Sequence, residues 1–168
     1  MIFAGIDPGV SGAIALINPD TRFLEVHDMP TRDVRQNGKN RKRVDPLALL
    51  DLLESCGDDP IRHLALEKVW GMQRDTPTTA FGLGEAFAIA STIALVAKVP
   101  HTLVAPQTWK REFALAGGGK EGKAAARDHA IRLLPDHADK FKAVSKDGRV
   151  DAALLAIYSA RKLGGAAI

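Results

Sequence analysis

The feature that most constrains the fold is the order in which strand and helix patterns follow one another. The first 29 residues contain three short apolar or alternating segments, 2–7, 12–17 and 22–29, which are separated by turns rich in glycine, proline and asparagine. Segments of this length and pattern predict β-strands, and turns this short join antiparallel neighbours. The chain is therefore predicted to open on an antiparallel meander.

Helix and strand patterns alternate after the meander. Asp45 suits the N-cap of a helix and Pro46 its first position, and Gly57 is expected to end that helix. A strand, a helix and a second strand in this order imply a right-handed crossover and parallel pairing. The remaining predicted elements are strand 62–69, helix 76–98, strand 101–105 and helices 106–116, 120–134 and 149–162.

Together these elements predict an α/β fold with one mixed five-stranded sheet flanked by helices. A three-strand antiparallel meander and two parallel strands share the sheet, and the first strand is expected at its centre. The length supports a single domain over 1–168 with one hydrophobic core. The segment 31–43 between the meander and the first helix is predicted to be a mobile loop.

The composition indicates the cellular compartment in which the chain is expected to work. A lone cysteine, Cys56, forms no internal disulfide and no zinc cluster, which favours a reducing, cytoplasmic location. The N-terminus reaches Asp7 and Pro8 too soon for a signal peptide. The apolar run 86–99 is interrupted by polar residues and is expected to be too short for a bilayer, so no membrane partner is predicted.

Basic residues are concentrated although the net charge is only +3. Residues 32–43 hold six basic side chains and one acidic one. Local basic patches on a near-neutral chain indicate a polyanionic partner on one face, and solvated loops are the alternative interpretation. The second basic group is Lys110, Arg111, Lys120, Lys123 and Arg127.

Four acidic residues lie where the predicted elements would bring them together. Asp7 ends the first strand and Glu67 lies near the end of the fourth, and parallel neighbours run about 4.8 Å apart. Asp147 and Asp151 are four residues apart, which places them on one face of the last helix. If that helix packs beside the first strand, all four carboxylates share one site at the edge of the sheet where open α/β sheets bind ligands.

A carboxylate cluster without cysteine favours hard cations such as Mg²⁺, with Mn²⁺ as a substitute. Two such ions allow a water to attack a phosphodiester and stabilise the leaving 3′-oxygen. Each acid also has an ordinary interpretation: Asp7 as a turn residue, Glu67 as a surface acid and Asp147 as a helix N-cap. Asp151 lies inside a strongly apolar helix and is the hardest to explain without a functional role.

Four segments, in this order, resemble the RuvC-type Holliday-junction resolvases of the ribonuclease H-like superfamily. They are GIDPGVSGAIAL, EKVW, APQTWK followed by KEGK, and DGRVDAALLAIYSA. The last is similar to the compact phage-encoded members. The resemblance implies a ribonuclease H-like fold, two Mg²⁺ ions per site, cleavage of four-way DNA junctions by symmetric nicking, and a homodimer formed through helix 77–98.

The resemblance also implies roles for single residues. Asp7, Glu67 and Asp151 match metal ligands, and Trp70 matches an aromatic residue that stacks on unpaired bases. One departure concerns the last helix, where the family has its two ligands three residues apart. Here that position is Gly148 and the acid lies one residue earlier, at Asp147, which leaves two interpretations of Asp147, metal ligand or helix cap.

The predicted DNA-binding residues combine the resemblance with the charge pattern. Lys110 and Lys123 match lysines that contact phosphates, whereas Trp109 lies in an apolar context and is predicted to be a core residue. Helix 77–98 is apolar nearly all round, which favours burial on two sides and a second copy as partner. The further predicted DNA contacts are Lys39, Arg41, Lys42, Arg43 and Lys120.

Three other functions compete with this interpretation. A related nuclease for flaps, forks, three-way junctions or RNA–DNA hybrids would use the same metal site. The opening motif is also similar to the phosphate loop of actin-like kinases and ATPases, but those need a second lobe for which 168 residues leave no room. A DNA-binding protein without catalysis is the third, and the intact Asp7, Glu67 and Asp151 argue against it.

Overall fold

The computed structural model describes residues 1–36, 38–56, 59–71, 76–115 and 119–165. A five-stranded mixed sheet has the order β3-β2-β1-β6-β7, so the predicted meander, the two parallel strands and the central first strand are confirmed. The strands are β1 (Ile2–Asp7), β2 (Ala13–Asn18), β3 (Phe23–Asp28), β4 (Thr31–Gln36), β5 (Lys39–Val44), β6 (Ile61–Glu67) and β7 (His101–Val104). The α-helices are α1 (Pro46–Glu54), α2 (Pro77–Val96), α3 (Pro106–Glu112), α4 (Gly119–Leu133) and α5 (Asp147–Tyr158).

The two faces of the sheet carry separate hydrophobic cores, because successive side chains of a strand point to opposite faces. In β1, Phe3 packs with the core that contains α5, while Ala4 and Ile6 pack with the core that contains α1 and α2. The same alternation assigns Ala65 of β6 to the α5 face and Leu66 to the other. The face to which the last, polar residue of a strand points, and therefore the helices that it contacts, follows from this alternation.

Helix α5 lies directly on the central strand. Gly5 of β1 faces it, and a Cβ added there would lie 2.2 Å from the carbonyl oxygen of Ala152 and 2.3 Å from the amide nitrogen of Ala156. Only a residue without a side chain permits this approach. The helix that carries Asp151 is therefore held close to the strand that carries Asp7, as predicted.

The basic segment is not a mobile loop, and that prediction is wrong. Strands β4 and β5 pair antiparallel from Thr31↔Val44 to Gln36↔Lys39 as a separate two-stranded sheet, called here the basic hairpin. Gly38, just before β5, has a positive φ of 75°, and Asn37 lies outside the described residues. An Asn-Gly pair is a strong hairpin feature, but strands this charged lack the apolar alternation that marks a strand.

The ends of several helices also differ from prediction. α1 ends at Glu54 with Ser55 as its C-cap, and the predicted stop at Gly57 lies outside the described residues, as do 116–118. α5 begins at Asp147, before the predicted start at Arg149, and continues as a π-helix over Ser159–Leu163. Two short 3₁₀ helices, Pro135–Phe141 and Val144–Lys146, connect α4 to α5.

Helix α2 covers the sheet with one face and leaves another bare. Ala90 and Ala94 are completely buried, whereas Phe81 is 64% exposed and Leu95 is 65% exposed. Within the described chain, α2 alone is long and apolar enough to span a bilayer by length and composition, which corrects the expectation that its apolar run is too short. The same criterion is met by core helices, and α2 packs on the sheet, so this is weak evidence for a membrane role.

Candidate metal centre and nucleic-acid interface

The end of β1 and the end of β6 bring two carboxylates together. In β1, Asp7 lies two residues after Gly5 and four after Phe3, so its side chain is on the same face of the sheet as theirs. In β6, Glu67 lies two residues after Ala65 and is on the same face as Ala65. Both carboxylates therefore point to the face that α5 covers. The strands run in parallel register one residue earlier, where Ile6 pairs with Leu66. Asp7 and Glu67 lie close enough to share a hydrogen bond, which requires a proton on one of them.

Asp151 of α5 joins this pair, and the three residues are called here the carboxylate trio. Asp151 and Asp7 are partly buried, and Glu67 is 9% exposed. Burial, followed by the negative charge of Glu67, raises the pKa of Asp151 to about 6 and raises that of Asp7 well above its usual value. Burial also raises the pKa of Glu67. The three acids therefore repel one another when they are all ionised.

The trio fits a divalent cation by the chemistry of its donors. All three offer carboxylate oxygens, the ligands that Mg²⁺ and Mn²⁺ prefer, and a bound cation would relieve their mutual repulsion. In the described part of the chain, no three acidic, histidine or cysteine side chains already converge as a complete ligand set.

Asp147 is turned away from the trio. Its carboxylate accepts a hydrogen bond from Nη2 of Arg127 and lies 3.0 Å from Nζ of Lys123, both on α4. It is the first residue of α5, and Lys146 occupies the N-cap position without a side-chain hydrogen bond, so the interpretation of Asp147 as a helix cap is wrong. Its charge still contributes to the raised pKa of Asp151, as a smaller effect than that of Glu67.

Gly148, three residues before Asp151, packs closely against the turn that follows β1. A Cβ at Gly148 would lie 2.8 Å from the carbonyl oxygen of Ser11 and 2.9 Å from Oδ2 of Asp7. The backbone of α5 thus occupies the space beside Asp7 that a side chain would need.

Trp109 contributes to the site in a way that the sequence analysis missed. It is completely buried, as predicted for a core residue, but its indole N–H donates to Oε1 of Glu67 at 3.0 Å. The next residue, Lys110, places its ammonium 5.2 Å from the centre of the Trp109 ring. The charge of Lys110 lowers the pKa of all three acids of the trio against the larger effect of burial.

The other predicted DNA-binding residues of this region are exposed. Trp70 follows β6 by three residues, is 45% exposed, and has the ammonium of Lys68 5.2 Å from its ring centre. Residues 72–75 after it lie outside the described residues. Lys120 and Lys123 are exposed on α4, and a small cavity of about 100 Å³ lies between Lys110, Lys123 and Asp151. Lys110 and Lys123 therefore border the trio.

The basic hairpin carries two kinds of cation. Lys39, Arg41 and Lys42 are exposed. Arg43 instead has a side chain that is only 14% exposed and lies 2.9 Å from Oε2 of Glu85. It also donates to Gln36 at 2.9 Å and lies 6.0 Å from the Phe81 ring centre. Arg43 is thus a structural anchor between the hairpin and α2.

A cleft of about 530 Å³ separates the basic hairpin from the sheet edge. Pro8, Gly9, Val10 and Ser11, the turn that follows Asp7, form one wall. The first turns of α2 form another, and Arg41, Lys42 and Arg43 form the third. No acidic residue lines the cleft among the residues that the structure describes. The predicted basic segment therefore lies across a cleft from the turn that follows Asp7.

Asp28 fixes the start of α5 and was also missed. Its carboxylate accepts from Nζ of Lys146 at 2.7 Å and from Nε of Arg149 at 2.8 Å. The hydrogen bond from Arg149 is the main reason that the pKa of Asp28 falls to about 2. Because Lys146 and Arg149 flank the first turn of α5, this contact ties that turn to the end of β3.

Comparison with known proteins agrees with this architecture. No family model and no curated protein sequence matches the chain. The structure of Thermus thermophilus RuvC in complex with a Holliday junction substrate is similar, with 16% identity, coverage of 96% of this chain and 95% of that one, and a TM-score of 0.58. A second Thermus thermophilus RuvC structure is similar with 19% identity, coverage of 99% and 98%, and a TM-score of 0.54.

The sheet order, the flanking helices and these similarities define the class of fold. The chain has a RuvC-type, ribonuclease H-like fold. The likeness extends over nearly the full length of both chains, so the predicted fold is confirmed.

Proposed function

We propose that this chain is a structure-selective DNA endonuclease that resolves Holliday junctions in an Mg²⁺-dependent reaction. The observation that carries the proposal is the carboxylate trio, which three separate elements, β1, β6 and α5, bring to one edge of the sheet. The same fold occurs in a RuvC that is bound to a junction substrate. A cytoplasmic location, which is the host cell cytoplasm if the chain is phage-encoded, is part of the proposal.

In the proposed mechanism, Asp7, Glu67 and Asp151 would hold two Mg²⁺ ions, for which Mn²⁺ would substitute. Bound divalent ions supply an activated water and charge stabilisation for the leaving 3′-oxygen. The residues themselves keep the reacting phosphate at the sheet edge and limit access of bulk water, since Glu67 is nearly buried. Asp147 would be a further ligand only if it were released from its ion pairs with Arg127 and Lys123.

Basic residues on two sides of the trio would hold the DNA. Lys110 and Lys123 lie beside Asp151, and Lys120 is on the same helix as Lys123. Arg41 and Lys42 of the basic hairpin lie across the cleft from the turn after Asp7, and Lys39 lies on the same strand of the hairpin. Phosphate contacts from these side chains supply affinity and register without reading the sequence. Trp70 offers an exposed aromatic face for an unpaired base.

A homodimer through α2 completes the proposal. The face of α2 that is turned from the sheet exposes Phe81, Leu95 and Val96, and an exposed apolar surface of this kind favours a protein partner. A two-fold dimer presents two identical sites, which suits two nicks placed symmetrically in a four-way junction. Light scattering of the purified protein measures the oligomeric state.

Cleavage of a panel of labelled DNA substrates tests the proposed function. The panel holds a four-way junction, a three-way junction, a flap, a fork, a linear duplex and an RNA–DNA hybrid, each with Mg²⁺ or with EDTA. The expected result is paired symmetric nicks in the four-way junction with Mg²⁺, and none with Asp151→Asn. Asp51→Asn, which alters an exposed acid on α1, is the matched control and keeps activity. Preferential cleavage of flaps or hybrids would replace junction resolution with the alternative nuclease function.

A further inference from the structure

The hydrogen bond from Trp109 to Glu67 joins a rigid ring to a flexible acid. A buried indole N–H needs an acceptor, and Oε1 of Glu67 at 3.0 Å is the acceptor that the structure provides. Glu67 is itself 9% exposed, so solvent competes little for this bond. Trp109 and Glu67 are 42 residues apart in the chain, so the bond links α3 to the end of β6.

The surroundings of Trp109 fix the direction of its N–H. The ring is completely buried and packs edge-on against Phe113, with 6.5 Å between the ring centres. Helix α3, which carries Trp109, begins at Pro106, whose ring presets the first helical φ. On the other side the ammonium of Lys110 lies near the ring. A donor held this firmly selects one orientation of the carboxylate that it meets.

We propose that Trp109 is a positioning residue, which fixes the Glu67 carboxylate so that its second oxygen is presented to a divalent cation together with Asp7 and Asp151. This inference rests on the proposed function, because it takes Glu67 as a metal ligand. A glutamate has three rotatable side-chain bonds, and ordering them in advance lowers the entropy lost when the cation binds. Hydrogen-bond partners of ligating groups typically change metal affinity by about 10–100-fold.

Trp109→Phe removes the donor and keeps an aromatic ring. We expect Mn²⁺ to bind this variant about tenfold more weakly than the wild type, measured from the electron paramagnetic resonance signal of free Mn²⁺ at constant pH. Phe113→Leu is the matched control, since it disturbs the packing around Trp109 and leaves the N–H in place. It should lower the melting temperature and keep the wild-type Mn²⁺ affinity.

A fluorescence measurement tests the same contact without altering it. The chain has two tryptophans, so Trp70→Phe leaves Trp109 as the only one. Paramagnetic Mn²⁺ bound at Glu67 should quench the emission of Trp109, and Asp151→Asn in this background should prevent the quenching.

The outcomes separate this inference from the proposed function. Unchanged Mn²⁺ affinity in Trp109→Phe, while Asp151→Asn loses Mn²⁺, overturns the positioning role and leaves the metal site standing. Equal losses of affinity in Trp109→Phe and Phe113→Leu overturn it as well, because general loosening of the core then explains both. A wild-type protein that binds no Mn²⁺ and shows no quenching overturns the proposed metal site, and the role of Trp109 with it.

Discussion

The carboxylate trio and the basic hairpin place opposite charges in opposite environments. The trio lies largely out of solvent, between the centre of the sheet and α5, and its geometry is set by the packing of two strands and a helix. The hairpin exposes Lys39, Arg41 and Lys42, and Arg43 anchors it to α2. The carboxylates proposed for catalysis thus lie where packing fixes the distances between them. The cations proposed for contact with a polyanion lie where they remain hydrated and can adjust.

The carboxylate trio and the basic hairpin also differ in what they cost the stability of the fold. Burial of acids disfavours their charged form, so the trio costs stability until a cation or a proton neutralises it. Exposed basic residues cost little to hold and attract phosphate over a distance set by the salt concentration. We therefore expect substitutions in the trio to change catalysis and stability in opposite directions. In the hairpin, we expect them to change the salt dependence of binding.

The largest effect is expected for Asp7→Asn. It should reduce cleavage of a four-way junction by about three orders of magnitude, since metal ions supply several kcal/mol of charge stabilisation and each 1.36 kcal/mol is a factor of ten. Junction binding in EDTA should persist or improve slightly, because the variant has one negative charge fewer near the phosphate. Cleavage at the wild-type rate in Mg²⁺ would show that Asp7 is not part of the catalytic site.

Gly148→Ala should be the next most damaging change, although it adds only one methyl group. The new Cβ would collide with the Ser11 backbone and with Oδ2 of Asp7. Forcing α5 outward costs about 1–3 kcal/mol and displaces Asp151 from Asp7. Denaturant unfolding and single-turnover cleavage measure the two effects. Gly84→Ala, inside α2 at a position with open space, is the control: it should keep cleavage and raise stability slightly, because alanine is the better helix former.

The effect of a substitution in the basic hairpin should depend on whether the side chain is exposed or buried. Replacing Arg41 and Lys42 together with Ala should lower the slope of log affinity against log salt by about two units, one for each phosphate that the variant no longer neutralises. Arg43→Ala should instead lower stability, because it leaves Glu85 without its partner. Lys142→Ala, at another exposed site, is the control. An unaltered slope in the double variant would place these two side chains away from DNA.

Trp70→Ala should give the smallest change in stability and a selective change in function. The ring is 45% exposed, so its removal takes away little core packing. Base stacking on an aromatic ring contributes about 1–3 kcal/mol per base, so cleavage of the junction should fall while binding to linear duplex changes far less. A base-analogue fluorophore at the crossover reports the opening. A sharp fall in melting temperature with normal opening would identify Trp70 as a core residue instead.

The sequence predicted most of the fold because its strands have clear apolar patterns and its helices have clear starts. Proline and capping residues located α1 and α2 within one or two residues at their beginnings. The basic hairpin was missed because Asp33, Arg41 and their neighbours give no apolar face, although Asn37-Gly38 marked its turn. The local hydrophobic pattern of the sequence therefore predicted the strands and helices that build the core. It did not predict the basic hairpin, which lies outside the core.

For the candidate site, the sequence predicted that four carboxylates meet, and in the structure Asp147 is paired with Arg127 and Lys123 instead. The parity of β1 and β6 brings Asp7 and Glu67 to one face, and this follows from strand alternation. The bond from Trp109 and the pairing of Asp147 with Arg127 depend on the packing of α3 and α4 against α5. Such contacts between distant segments leave no periodic pattern in the sequence.

Melting temperatures of the wild type and Asp151→Asn, with EDTA or with Mn²⁺ at about pH 7.5, test the central claim most directly. The raised pKa of about 6 means that the folded state binds a proton more readily than the unfolded chain between about pH 4 and 6. Stability contributed by this group is therefore present at low pH and lost as the pH rises through that window. Asn removes the charge, and at about pH 7.5 in EDTA it should stabilise the fold by about 1–3 kcal/mol.

Mn²⁺ should reverse this order. At about 100 times its dissociation constant it adds about 2.7 kcal/mol to the wild type, and it should add much less to Asp151→Asn. The account therefore predicts that Asp151→Asn melts above the wild type in EDTA and that its advantage disappears or reverses in Mn²⁺. A wild type that melts higher in EDTA, with no additional shift in Mn²⁺, would contradict a carboxylate trio built to bind a divalent cation.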